Sequence, residues 1–68
     1  MLMWHIMLEK RGYSIFSFAK AANYPVLNLY NWANGKNLPS VRNAIEFWEI
    51  FNNTLNTQVP IEEMWLDI

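Results

Sequence analysis

A chain of 68 residues with no cysteine, 53% hydrophobic and 16% aromatic content and a formal net charge of −1 has room for one domain. It has neither disulfides nor a Cys/His cluster to staple it. At this size only about 60% of the unfolded chain's surface can be buried, so stability must come from a dense apolar core or a partner subunit. With four Trp and four Phe, part of the aromatic surface is expected to meet another chain.

Apolar residues recur at spacings of three and four rather than alternating, which predicts helices and no strands. A first helix is expected over residues 2–10, with Met3, Trp4, Met7 and Leu8 on one face. Gly12 stops it. A second helix follows Ser14, a natural N-cap, with an apolar stripe of Phe18, Ala19 and Ala22. Asn23 then turns the chain, since asparagine tolerates the left-handed conformation. A third helix is expected to open at Pro25, whose missing N–H is not needed there. It carries Leu29 and Trp32 inward and ends at Gly35. A fourth starts from Ser40 after Pro39, with Val41, Ala44, Ile45, Trp48 and Phe51 as its stripe. The polar run NNTLNTQ is expected to be a loop. A short fifth helix runs from Pro60 to about Leu66, with Ile61, Met64 and Trp65 apolar.

No apolar run reaches the roughly 18 residues that span a bilayer. The opening MLMWHIML has no basic lead-in or small-residue cleavage site, so no signal peptide is expected and the cytoplasm is the expected compartment. Charge is segregated along the chain. Residues 1–45 hold Lys10, Arg11, Lys20, Lys36 and Arg42 against Glu9, a net of +4. Residues 46–68 hold Glu46, Glu49, Glu62, Glu63 and Asp67 and no base, a net of −5. Such a chain can present a basic and an acidic face. Chemistry-bearing constellations are absent. His5 stands alone, and Glu62, Glu63 and Asp67 gather without a histidine, which fits a solvated acidic face better than a metal or acid–base site. Met1, Met3 and Met7 fit adaptable packing better than ligation. No nucleophile–base set or phosphate-cradling glycine loop is visible, so an enzyme is not expected, nor a cofactor, metal or small-molecule substrate.

The second and third helices are separated by about three residues, the spacing of a helix-turn-helix. The stretch RGYSIFSFAKAANYPVLNLYNWANGKNLPS resembles, without gaps from Gly12 to Ser40, the core of the Cro/repressor or XRE-type helix-turn-helix family. Tyr13, Phe18, Ala19, Ala22, Tyr24, Leu29 and Trp32 take its apolar positions; Gly35, Lys36, Pro39 and Ser40 take its closing ones. The tail VPIEEMW resembles the family's last helix after an insertion of about six residues, in an alignment that otherwise follows the family's order.

The resemblance implies an all-α, compact five-helix lambda-repressor-like helix-turn-helix domain, with the motif over about residues 15–35. It implies a third helix in the major groove of double-stranded DNA, with base contacts from Val26, Leu27, Asn28, Tyr30 and Asn31. Asn28 and Asn31 would pair with adenine and Val26 or Leu27 would touch a thymine methyl. Phosphate contacts would come from Asn34, Lys36, Asn37 and Arg42, and from free N–H groups at the start of the second helix. A homodimer on a near-palindromic operator is implied, with Trp65, Leu66 and Ile68 as the expected dimer contact and the first helix as a second candidate. The chain departs from the family's usual polar residues at Ile15, Pro25, Val26 and Leu27, and carries Trp32-Ala33 where the family has Trp-Glu. Ile15, the apolar Val26-Leu27 pair and the negative net charge favour a competing expectation, a protein partner bound as an antirepressor or phage-borne inhibitor would bind it, with the third helix in an apolar groove.

Overall fold

Serine side chains cap the starts of two of the helices. The Ser14 hydroxyl accepts the Ser17 N–H at 3.0 Å, and the Ser17 hydroxyl accepts the Ser14 N–H at 2.9 Å, a reciprocal capping box. The Ser40 hydroxyl accepts the Asn43 N–H at 3.2 Å. In the computed structural model, which describes all 68 residues, five helices result: α1 (Met3–Lys10), α2 (Ile15–Ala22), α3 (Val26–Ala33), α4 (Val41–Leu55) and α5 (Ile61–Met64). The chain is an all-α five-helix domain measuring 24 × 23 × 23 Å.

The turns use residues that accept positive φ. Asn23 sits at φ 53°, ψ 48°, and Asn56 at φ 56°, ψ 51°, each closing a helix in the left-handed conformation. Gly35 at φ 73° does the same work beyond α3. Pro25 and Pro60 sit one position earlier than expected. Both are extended N-cap residues, and the first helical residues are Val26 and Ile61. α5 is also shorter than expected, because Trp65 and the residues after it turn back along α1. There the Met3 N–H donates to the Leu66 carbonyl at 2.8 Å and the Ile68 N–H donates to the Met1 carbonyl at 2.9 Å. The Met1 ammonium meets the Asp67 carboxylate at 2.8 Å.

α4 corrects the sequence expectation in two ways. It continues through residues 52–55, four of the seven residues expected to form a loop. Its inward stripe is Phe47, Phe51 and Leu55, with Ala44 and Trp48 half-buried. Val41 is 79% exposed and Ile45 41%. The helix is rotated so that its apolar face extends forward to Leu55, leaving its first-turn hydrophobics outside. The polar residues at its end are tolerated because Asn52 is used rather than solvated. Its side-chain oxygen accepts the Thr57 hydroxyl at 2.7 Å and the Val59 N–H at 3.0 Å, and its amide donates to the Val59 carbonyl at 3.0 Å. The Trp48 indole N–H donates to the same carbonyl at 2.6 Å. Asn52 thus fastens the α4–α5 loop onto α4. Asn52→Ala orphans these groups and is expected to cost about 1–3 kcal/mol; the urea midpoint measures it, and a loss below roughly 0.5 kcal/mol contradicts this role.

The core is built from 13 buried residues, none of them polar or charged. Its centre is aromatic. The Phe47 ring lies 5.2 Å from Trp4, 5.5 Å from Trp32, 5.6 Å from Tyr24 and 5.9 Å from Trp65, mostly edge-on or tilted as ring quadrupoles favour. Ile15, the departure from the family pattern at the start of α2, is buried in this core. No helix is long and apolar enough to cross a membrane.

Candidate nucleic-acid interface

Ten residues, Pro25 through Asn34, carry the question of function. Within α3, Leu29 and Trp32 point into the core, locking the helix's orientation. Helical geometry then sends Leu27, Tyr30, Asn31 and Asn34 outward as one stripe, spaced three and four apart, with Asn28 at its edge. Leu27 is 67% exposed and Tyr30 40%, Asn28 is exposed and Asn31 half-exposed. Val26 differs from the other expected base contacts. It is half-buried and packed against the core, where with Phe16, Ala19, Lys20, Asn23 and Tyr24 it lines a shallow groove between α2 and α3.

Beyond α3, the Gly35 N–H donates to the Trp32 carbonyl at 3.2 Å and the Lys36 N–H to the Asn31 carbonyl at 2.9 Å. These bonds fix the exit of the helix. Asn34, Lys36 and Asn37 are exposed there, and Arg42 is exposed on the first turn of α4. None of the five Lys and Arg side chains forms an ion pair; the carboxylates of Asp67 and Glu9 meet the Met1 ammonium and the His5 imidazole instead. One acid acts at the α2–α3 turn. Burial, and then the charge of Glu46 on α4, push the Tyr24 phenol above its ordinary pKa.

The start of α2 is less open to an anion than expected. The capping box consumes the Ser14 and Ser17 N–H groups, which leaves those of Ile15 and Phe16. Phe16 itself, absent from the sequence expectations, stands 57% exposed beside them. Its signal was available, since it falls off the stripe of Phe18, Ala19 and Ala22 and must face out. Lys20 on the groove rim was likewise missed, and its place depends on the packing of α2 against α3.

The three expected dimer residues separate. Trp65 is half-buried with its ring 5.6 Å from Trp32 and 6.2 Å from Trp4, so most of it belongs to the core. Its indole N–H is buried without an acceptor. Leu66 and Ile68 are exposed. A second apolar surface was not expected: Leu38, at 76% exposure, and Val41 form a shallow groove with Pro39, Ala44 and the outer edge of Trp65. No group of three or more His, Cys, Asp or Glu residues is close enough to hold a metal ion.

No family model, curated protein or solved structure matches this chain.

Proposed function

We propose that this chain is a small sequence-specific DNA-binding transcriptional regulator of the phage or prokaryotic Cro/repressor type, acting by occupying an operator, with α2 and α3 as its helix-turn-helix and α3 in the major groove. One observation carries the reading. A rigidly seated α3 offers Leu27, Asn28, Tyr30 and Asn31 to solvent, and the basic side chains around it, Lys20 on the groove and Lys36 at its exit, are engaged by no carboxylate. Arg42 opens the next helix in the same state. Unpaired cations beside a polar, exposed helix suit a phosphate backbone. Glu46 lies near enough to the α2–α3 turn to act on Tyr24; the other acidic residues of 46–68 would face away from DNA. Two copies on a near-palindromic site would supply the contact area that one small module lacks. Leu66, Ile68 and the Leu38–Val41 surface, which the edge of Trp65 helps to line, are the apolar area a second copy would cover.

Fluorescence anisotropy on a duplex library across a salt series tests this. Affinity is expected to fall steeply between about 50 and 200 mM salt. Lys36→Ala and Arg42→Ala are each expected to flatten the log–log slope by about one per subunit while leaving sequence preference intact. Saturation at two chains per site is the expected stoichiometry. Absence of duplex binding at about 50 mM salt, where phosphate attraction is strongest, would overturn the reading.

A second reading has its own observation. Phe16 and Leu27 are both large, apolar and more than half exposed. Such residues also suit an apolar groove on a protein partner, the mode of an antirepressor or phage-borne inhibitor.

A further inference from the structure

We propose that the exposed face of α3 selects A·T base pairs and discriminates against G·C through direct contacts. This rests on the DNA-binding reading above and names the sequence class that reading leaves open.

The face lacks the groups that read G·C. Residues 25–34 read PVLNLYNWAN and contain no Arg, Lys, His, Asp, Glu or Gln. Guanine presents two acceptors in the major groove, O6 and N7, and is read best by the paired donors of Arg or by Lys. Cytosine presents a donor, N4, and is read by an acidic side chain. α3 has neither kind of group. The nearest cations along the chain, Lys20 and Lys36, lie on the groove rim and beyond the end of the helix, which suits phosphates rather than base edges.

What the face holds matches the other base pair. An Asn amide donates to adenine N7 while accepting from N6, and an apolar side chain packs on the thymine C5-methyl group. The amides of Asn28 and Asn31 form no hydrogen bond within the protein, so their full donor and acceptor capacity is available. The contrast is Asn52, whose amide is spent on Thr57 and Val59. Leu27 is 67% exposed with no structural task in its own subunit. Leu27 and Asn31 are one helical turn apart, roughly 6 Å along the axis, which spans about two base-pair steps of 3.4 Å. Methyl reader and adenine reader thus fall on nearby pairs. Val26 is half-buried, so the methyl contact is assigned to Leu27.

Selection of bound duplexes from a random library by the full chain tests this. Half-sites with adjacent A·T pairs are expected, and replacing either pair by G·C is expected to weaken binding about tenfold or more. A narrow A·T-rich minor groove can also attract cations through shape alone, so the selected site is remade with deoxyuridine for thymine, which removes only the methyl group. The parent chain is expected to lose several-fold in affinity on that DNA and Leu27→Ala to lose nothing further. Asn31→Ala is expected to bind A·T and G·C at its position equally, with an unchanged salt slope. Circular dichroism confirms that each variant is folded. Tight binding to G·C-rich half-sites, or indifference to deoxyuridine together with a preserved preference in Asn31→Ala, overturns the A·T inference and leaves DNA binding standing. No duplex binding at any sequence removes both.

Discussion

Phe47→Ala is expected to leave the chain largely unfolded at 25 °C. Phe47 is fully buried, and six aromatic rings surround it within 6.1 Å: Trp4, Phe18, Tyr24, Trp32, Phe51 and Trp65. These rings come from α1, α2, α4, the turns flanking α3 and α5, and from α3 itself, so one cavity loosens every element. Removing a buried Phe costs about 3–5 kcal/mol. A chain of this size is stabilised by roughly 3–10 kcal/mol in total, and no disulfide constrains the unfolded state. Urea titration followed by tryptophan emission measures the effect, since Trp4 and Trp32 report directly on the space around Phe47. Phe47→Leu keeps most of the volume and is expected to remain folded. A Phe47→Ala chain within about 1 kcal/mol of the parent would show that the cluster does not organise the core.

Leu27→Glu is expected to reduce DNA affinity at least about 100-fold with no loss of stability. A residue 67% exposed contributes little to folding, so the unfolding midpoint should shift by no more than about 0.5 kcal/mol. A carboxylate at the centre of the proposed groove-facing stripe meets a dense array of phosphates, and like charges juxtaposed at an interface cost several kcal/mol. The same substitution would also spoil an apolar protein contact, so Leu27→Lys is the deciding partner variant. On DNA, lysine is expected to retain affinity, lose the thymine preference and steepen the salt slope by about one. In an apolar groove on a protein, lysine and glutamate are expected to be comparably harmful. Equal loss with both variants favours the protein partner.

The Leu27 and Phe47 results would come from residues that the sequence treats very differently. Leu27 stood among the expected contact residues because the resemblance to the Cro/repressor family implied base contacts from the leading half of α3; its outward side is separately legible, since Leu29 and Trp32 mark the inward positions at helical spacing. Phe47 did not stand in the expected stripe of α4. The first-turn hydrophobics Val41 and Ile45 fitted the same period with Trp48, so two rotations of α4 were compatible with the pattern. Which one is adopted depends on the aromatic cluster that α1, α2, α3 and α5 assemble around Phe47. Residues 52–55 illustrate the same limit. Their polarity reads as loop, yet Asn52 finds three partners in residues 57–59, and those partners exist only once the loop folds back.

Residue order alone determined the all-helical class, the Ser14 and Ser40 caps, the asparagine and glycine turns and the inward side of α3. These are matters of local backbone energetics and of a period a few residues long. Only the tertiary structure decided the rotation and length of α4, the division of Trp65 between core and surface, and the exposure of Leu38 and Val41. Each of these depends on which distant side chain occupies the neighbouring space, and close packing among elements, not periodicity within one, settles that.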